Sequence, residues 1–211
     1  SRDPYQNIAD HQLVQDSLRL HHHNIELSLW SETSITYANL DMNSRPYDLN
    51  FLQRWADSSN LSILSGFSEI YLYPNAQSAP VTASPFRGDS SKFYQSFNSA
   101  ILMSPERFND SIQIYRKMIL TPISERIPYV EMIEFAKDML RWDVGISNWG
   151  KGWHQSNLTV HTDRGDFKVA PIICIESISP NFVRKFAVLG AGIFTIITND
   201  AWYNYTFGPP Q

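Results

Sequence analysis

The sequence predicts an α/β protein in which strands and helices alternate along the chain and pack in layers. The plainest indication is the stretch 170–198, where an apolar run, a helical segment and a second apolar run follow one another. A second alternation comes earlier, with helical spacing at 47–58 and a strand-like run at 61–73. The 211 residues, 43% hydrophobic and 18% charged, supply ample material for a core in one large or two small domains.

Composition removes several classes of function. The net charge of −4, without any basic stripe, gives no electrostatic case for nucleic-acid binding. The single cysteine excludes an internal disulfide and any multi-cysteine metal site. No apolar run approaches the roughly 20 residues that span a bilayer. Because the chain starts without Met and ends in Gly-Pro-Pro-Gln, we expect a fragment of a longer protein.

The individual elements follow from hydrophobic period and from turn residues. The three leucines among polar residues near the N-terminus predict an amphipathic helix, and alternating apolar residues predict a strand directly before Glu32. Gly66 is expected to mark a β-bulge, and the Pro- and Ser-rich stretch 74–92 is expected to form a long hairpin loop. The predicted helices cover 3–23, 47–58, 131–140 and a segment after Pro180; the predicted strands cover 25–30, 61–73, 93–103, a short run before Lys117, 157–162, 166–173 and 193–198.

Cys174 stands where a buried strand ends and a turn leads into the helix after Pro180. This layout lifts a nucleophile out of an α/β sheet, and a helix N-terminus behind it can lower the pKa of a thiol from about 8.5. The same N-terminus offers backbone N–H groups to an oxyanion. An ordinary buried cysteine is an equally good interpretation of this residue taken alone.

Charged residues follow two other predicted strands. Glu32 comes after the strand at 25–30, and Lys117 comes after a short strand and lies among apolar neighbours. An ammonium in such surroundings must be paired or functional. Solvated surface residues are the alternative interpretation for Glu32, Lys117 and the nearby Glu125.

The Gly-punctuated stretch 141–156 carries three tryptophans, Trp142, Trp149 and Trp153. Glycines at 145, 150 and 152 predict a mobile lid whose indole rings prefer a water–lipid boundary. Packing of the tryptophans on the domain is the alternative, and the sequence leaves both open.

Three ordered segments together resemble the apolipoprotein N-acyltransferases of the nitrilase superfamily. Leu-Trp-Ser-Glu-Thr at 29–33 is similar to their Trp-Pro-Glu-Thr segment. Tyr-Arg-Lys-Met-Ile-Leu-Thr-Pro-Ile-Ser-Glu at 115–125 is similar to their segment around the lysine. Ile-Cys-Ile-Glu-Ser at 173–177, followed by Asn-Asp-Ala-Trp-Tyr at 199–203, resembles their cysteine segment. The resemblance covers almost the whole chain.

The resemblance implies a nitrilase-like four-layer α-β-β-α sandwich and a Glu-Lys-Cys triad. Glu32 would be the general base, Lys117 would stabilise the oxyanion and Cys174 would be the nucleophile. The N–H of Ile175 would complete the oxyanion hole. Supporting roles would fall to the carboxylates Glu125 and Glu176, and substrate contacts to the tryptophans Trp149, Trp153 and Trp202.

It further implies transfer of an acyl chain from a phospholipid to the N-terminal amine of a diacylglyceryl-cysteine lipoprotein, through a thioester and without metal or cofactor. The enzyme would sit in the bacterial inner membrane with this domain on the periplasmic face. Residues 1–211 would form a single domain that lacks its first strand, its C-terminal part and the flanking transmembrane helices.

Four positions depart from the family pattern: Ser31 replaces Pro, Ser124 replaces Gly, Ile175 replaces Tyr and Asn204 replaces Gly. Two alternatives stay open on the sequence. One is a soluble carbon–nitrogen hydrolase that uses the same triad on amides, and the other is a degenerate domain that only binds lipid or a protein partner. The Asn-Asp-Ala-Trp-Tyr segment favours the acyltransferase over the amidase. Retention of all three triad residues disfavours the degenerate domain.

Overall fold

The computed structural model describes residues 4–21, 25–38, 47–108, 112–122, 125 and 149–199. The predicted helix at 131–140, the first part of the tryptophan loop (141–148), Ser124 and the segment 200–211 with Trp202 and Asn204 lie outside the described residues.

Within these ranges, three α-helices, one 3₁₀ helix and nine strands alternate as the sequence predicts. The helices are α1 (Pro4–His21), α2 (Tyr47–Ser59), the 3₁₀ helix (Cys174–Ile178) and α3 (Pro180–Val188). The strands are β1 (Leu27–Leu29), β2 (Ile35–Ala38), β3 (Ser62–Tyr73), β4 (Ser84–Pro85), β5 (Phe93–Met103), β6 (Ile112–Arg116), β7 (Leu158–Val160), β8 (Phe167–Ile173) and β9 (Ile193–Ile197).

The first sheet is built around the long hairpin of β3 and β5. These strands pair antiparallel without interruption from Ile63↔Met103 to Tyr73↔Phe93. β1 and β2 both pair parallel with the free edge of β3, while β6 pairs antiparallel with β5. β6 therefore runs in the same direction as β1, and the carboxyl ends of these two strands lie at the same end of the sheet.

The second sheet joins an antiparallel pair and a parallel pair. β7 and β8 form the hairpin that the sequence predicts, with the turn closed at Gly165. β8 and β9 run parallel in the register Val169↔Ile193 to Ile173↔Ile197, with the 3₁₀ helix and α3 as the crossover between them. The residues that follow β8 and β9 therefore emerge side by side.

Two apolar clusters lie between the successive layers of helices and sheets. One lies between helices α1 and α2 and the outer face of the first sheet, where Leu49 and Leu52 meet Phe67 and Ile101. The other lies on the inner face of that sheet, where Leu64 and the neighbouring inward-facing residues pack against β7, β8, β9 and α3. The order helix, sheet, sheet, helix confirms the predicted layered α/β fold.

The last elements are more exposed than their apolar composition suggests. In β9, Ile193, Phe194 and Ile196 are 44%, 45% and 61% exposed, and no other described element covers them. In α3, Phe182, Val183 and Phe186 pack on the core, whereas Ala187 and Leu189, which follows the helix, face solvent. None of the described helices has both the length and the apolar character needed to cross a membrane.

Candidate active site

Glu32 lies in a loop that interrupts the pairing along β3. β1 pairs as far as Leu29↔Leu64 and β2 resumes at Ile35↔Phe67, so five residues, 30–34, stand opposite two. The loop closes against β3 through the bond from the Gly66 N–H to the Ser31 carbonyl, at 3.2 Å. Thr33, next to Glu32, has a positive φ of 55°. This geometry turns the Glu32 side chain, 5% exposed as a residue, toward the interior.

Gly66 serves this loop and is not a bulge, which corrects the prediction. β3 keeps a regular register with β5 through Gly66↔Ala100. A Cβ at this position would lie 2.6 Å from the Cα of Glu32 and 2.9 Å from the Ser31 carbonyl oxygen. The glycine is therefore required because the Glu32 loop passes directly over it.

Lys117 follows the last residue of β6 and is 1% exposed. Its Nζ lies 2.9 Å and 3.0 Å from the two carboxylate oxygens of Glu125 and 3.6 Å from Oε1 of Glu32. The ammonium predicted to need a partner thus has two. The structure brings Glu32, Lys117 and Glu125 into one buried cluster, because β1 and β6 end at the same end of the first sheet.

Asn98, which the sequence reasoning missed, joins the two carboxylates. It lies in β5, is 4% exposed, and its Nδ2 donates to Oε1 of Glu32 at 2.7 Å and to Oε1 of Glu125 at 2.6 Å. Its carbonyl also accepts the N–H of Lys117 at 2.8 Å. The sequence gives only a weak signal, because Asn98 is one of several polar residues in β5 and shares the inward-facing side of the strand with Ala100 and Leu102.

Glu125 stays ionised because its donors outweigh its burial. Burial by itself would raise the pKa of this carboxyl, but the Lys117 ammonium, the Thr121 N–H at 2.7 Å and the Asn98 amide lower it below the ordinary value. The Trp149 N–H binds the Glu125 carbonyl at 3.0 Å and fixes the backbone.

Cys174 occupies a strained turn at the end of β8. Its φ is +47°, a left-handed conformation that costs an L-residue energy, and its free thiol belongs to a half-buried side chain. The 3₁₀ helix starts at Cys174 itself, and the Ser177 Oγ donates to the Cys174 carbonyl at 2.8 Å. The α-helix α3 begins at Pro180, as the sequence predicts, so the turn that directly follows Cys174 is the 3₁₀ helix. Ile175 is the second residue of the 3₁₀ helix, so its N–H belongs to the same turn.

The parallel pair β8–β9 brings the Cys174 turn to the Glu32 loop. Ile173 pairs with Ile197, so Thr198 follows β9 where Cys174 follows β8. The Glu32 N–H donates to the Thr198 carbonyl at 3.3 Å, and Asn199 Nδ2 donates to the Glu32 carbonyl at 3.4 Å. All three predicted triad residues therefore lie at the same end of the two sheets.

Glu176 connects the segments that carry Lys117 and Cys174, and its hydrogen bonds go to these segments and not to Glu32. Its Oε1 accepts from the Met118 N–H at 2.6 Å, the Ile119 N–H at 3.2 Å and the Tyr115 hydroxyl at 2.8 Å. Its Oε2 accepts from the Ile173 N–H at 3.0 Å. Complete burial raises the pKa of Glu176 above its ordinary value in spite of these donors. The geometry gives it a bracing role beside both Lys117 and Cys174.

The end of the tryptophan-bearing stretch 141–156 lies along β5. The lid hypothesis therefore applies only to the part of this stretch that lies outside the described residues. Gly150 donates to the Ser96 carbonyl at 2.7 Å and Gly152 to the Lys117 carbonyl at 2.8 Å. A Cβ on Gly150 would lie 2.3 Å from the Phe97 ring, and one on Gly152 would lie 2.1 Å from the Arg116 carbonyl oxygen. These two glycines therefore permit close packing, not hinge motion.

Comparison with known proteins identifies the family. The profile of the carbon-nitrogen hydrolase family matches residues 9–211. The chain belongs to the carbon-nitrogen hydrolase family. Solved structures agree: the carbon-nitrogen hydrolase of Helicobacter pylori superposes with a TM-score of 0.54 at 14% identity, over 94% of this chain and 56% of that one. Nit3 of Saccharomyces cerevisiae, a member of branch 10 of the nitrilase superfamily, gives 0.56 at 13% identity, over 97% and 63%.

Curated relatives confirm the narrower resemblance. The apolipoprotein N-acyltransferase of Chlorobaculum tepidum is 33% identical over 189 residues, which are 89% of this chain and 34% of that protein. The apolipoprotein N-acyltransferase of Borreliella burgdorferi is 25% identical over 95% of this chain and 35% of its own length. The chain thus spans about a third of the length of each of these relatives.

Proposed function

We propose that this domain carries the acyl-transfer centre of a bacterial N-acyltransferase, which moves a fatty acyl chain from a phospholipid to the N-terminal amine of a diacylglyceryl-cysteine lipoprotein. The observation that carries the proposal is the buried contact of Lys117 with Glu32 and Glu125 at the strand ends where Cys174 emerges. The names of the relatives supply the substrate class. Membrane anchoring and a position on the periplasmic face belong to the same proposal.

The two carboxylates around Lys117 suit two different tasks. Glu125 holds the ammonium with both oxygens and has a lowered pKa, so it remains a permanent counter-charge. Glu32 contacts Lys117 only at 3.6 Å. When Glu32 takes up a proton, Lys117 keeps Glu125 as its ionised partner, and the buried ammonium is never left unpaired. We therefore assign the general base to Glu32.

In the first half-reaction, Glu32 takes the proton of the Cys174 thiol and the sulfur attacks the ester carbonyl carbon of the phospholipid. The negative charge that develops on the carbonyl oxygen is stabilised by Lys117 and by the N–H of Ile175. Collapse of the tetrahedral intermediate breaks the carbon–oxygen bond, and the leaving alkoxide takes the proton from Glu32. The products are a lysophospholipid and a thioester on Cys174.

In the second half-reaction, the lipoprotein amine attacks the thioester carbonyl and passes a proton to Glu32. The carbon–sulfur bond breaks, the amide product leaves, and the Cys174 thiolate regains its proton from Glu32. The buried cluster suits this ping-pong sequence because one base serves both halves.

The test is intact-mass spectrometry of the full-length protein after incubation with phospholipid vesicles. A hydroxylamine-sensitive mass increase of one acyl group is expected in the wild type and absent in Cys174→Ala, because the acyl group is held as a thioester on Cys174. An acyl adduct that persists in Cys174→Ala contradicts the proposal. A wild-type protein that hydrolyses short amides but takes no acyl group from phospholipid would be an amidase instead.

A further inference from the structure

A group of aromatic and charged side chains lies on the outer face of the first sheet, behind Lys117. The Arg116 guanidinium donates Nε to Oε2 of Glu69 at 2.7 Å and Nη2 to the other oxygen of the same carboxylate. The rings of Tyr71, Phe97 and Trp153 surround this guanidinium, with centroids 5.0, 4.8 and 4.6 Å from Cζ. Glu69 is only 2% exposed, so the pair sits in a sheltered place where it is stronger than a surface ion pair.

Arg116 and Lys117 are neighbours at the end of β6 and extend to opposite faces of the sheet. Arg116 pairs with Ser99 and shares the outer face with Glu69 and Phe97. Lys117 lies on the inner face with Glu32. A fixed Arg116 side chain therefore sets the rotation of the strand end about its own axis, and that rotation sets the direction of Lys117.

The segment 149–153, here called the strap, holds the same backbone from the other side. Beyond the end of β6, the strap lies beside β5, where Gly150 forms a parallel β-bridge with Phe97. Its Trp149 N–H binds the carbonyl of Glu125, and its Gly152 N–H binds the carbonyl of Lys117. The strap thus touches the backbone of both groups that form the ion pair in the site.

Trp153 ties the strap to Arg116. Its indole ring covers the guanidinium and meets the Phe97 ring edge to face at 5.9 Å, although the residue remains 66% exposed. An exposed tryptophan that packs on one guanidinium and one ring has little core to support. Its contacts act instead on the strap and on the end of β6.

We propose that Glu69, Arg116 and Trp153 form a clasp whose function is to position Lys117, through the strap and the end of β6, for stabilisation of the oxyanion. The three are positioning residues and do not contact the substrate. The inference rests on the proposed function for its catalytic consequence, and on the geometry alone for its effect on the strap.

The first measurement is hydrogen exchange of the strap, read by mass spectrometry on the full-length protein. Trp153→Ala and Arg116→Lys should speed exchange at Gly150 and Gly152 and leave β3 unchanged. Arg107→Lys is the matched control, because Arg107 also stacks on an aromatic ring, Phe108 at 4.2 Å, and pairs with a carboxylate away from the site. Unchanged exchange in both clasp variants overturns the clasp, whatever the enzyme does with lipids.

The second measurement is the single-turnover acylation rate of Cys174 with two donors, a water-soluble p-nitrophenyl ester and phospholipid vesicles. Misplacement by about 1 Å costs on the order of 100-fold, so Trp153→Ala and Arg116→Lys should lose about 10- to 100-fold with both donors alike. Trp153→Phe, which keeps an aromatic face over Arg116, should recover most of the rate. Arg107→Lys should match the wild type.

The pair of donors separates the possible failures. A loss confined to phospholipid means that Trp153 contacts lipid and overturns the positioning role. Equal losses in the Arg107→Lys control mean a general effect on folding and also overturn it. A wild-type protein that reacts with the ester but not with phospholipid disproves the acyl donor of the proposed function, while the clasp is still decided by the variants with the ester.

Discussion

Replacement of Gly66 by alanine tests whether the Glu32 loop depends on a missing side chain. An added Cβ would lie 2.6 Å from the Glu32 Cα, 2.9 Å from the Ser31 carbonyl oxygen and 2.9 Å from the Thr33 nitrogen. All three are backbone atoms, so no flexible side chain can move aside. Since ordinary contact begins at 3.4 Å, the loop must shift by about 0.8 Å.

The shift predicts two measurable losses. Overpacking of this kind costs about 1–3 kcal/mol of unfolding free energy, which lowers the Tm of a domain this size by about 2–12 °C. A displacement approaching 1 Å of Glu32, the proposed general base, should lower the rate of Cys174 acylation by up to about 100-fold. Thermal unfolding and single-turnover acylation of the full-length protein measure the two effects.

Gly192→Ala is the matched control for this prediction. Its added Cβ would lie 3.8 Å from the Lys168 carbonyl oxygen, which is ordinary van der Waals contact. It should therefore change neither the Tm nor the rate appreciably. Gly66→Ala with a wild-type rate and Tm would refute the argument that the glycine makes room for Glu32.

Three further predictions concern the buried cluster. Lys117→Met removes the proposed oxyanion donor and should slow single-turnover acylation by about 10²–10³-fold. Asn98→Ala removes an amide donor that lowers the pKa of Glu125, so Glu125 should take up a proton at higher pH and the acidic limb of the acylation pH profile should move to higher pH. Asn157→Ala removes a half-buried amide that binds the Phe186 carbonyl instead, and should leave the profile unchanged. Folding lowers the pKa of Glu125 below its ordinary value of 4.5. Ionised Glu125 therefore stabilises the folded state above that value, and this contribution is lost as the pH falls through the lowered pKa. Glu125→Gln should make the free energy of unfolding, measured in urea, less dependent on pH in the acidic range.

Most helices and strands can be predicted from the sequence because the spacing of apolar residues within a segment determines whether it forms a helix or a strand. The 3.6-residue spacing in α2 and the aliphatic- and aromatic-rich runs of β3 and β5 required no long-range information. The position of Lys117 among apolar neighbours predicted a buried, paired ammonium, and the pairing with Glu125 eight residues away is nearly local. Strand ends then bring Glu32 and Cys174 to the same place by topology alone.

The missed features depend on contacts between distant segments. Asn98 meets Glu32 across 66 residues, and Arg116 meets Glu69 across 47. Gly66 gave a local signal, but its reason lies in the Glu32 loop that crosses it. The glycines of the strap were interpreted as hinges because a glycine that allows flexibility and one that allows close packing look the same in a sequence.

The turn at Cys174 offers a last test, of backbone strain at the proposed nucleophile. Its φ of +47° costs an L-residue about 1–2 kcal/mol. The turn is held by the hydrogen bond that Ser177 donates to the Cys174 carbonyl and by the one that the Ile173 N–H donates to Glu176. Glycine escapes this cost but loses about 0.5–1 kcal/mol more chain entropy on folding than alanine. Cys174→Gly should therefore be more stable than Cys174→Ala by up to about 1.5 kcal/mol in urea unfolding, although both variants lack the thiol and both are expected to be inactive. An alanine variant clearly more stable than the glycine variant would mean that the turn carries no strain, and that the bracing by Glu176 needs another explanation.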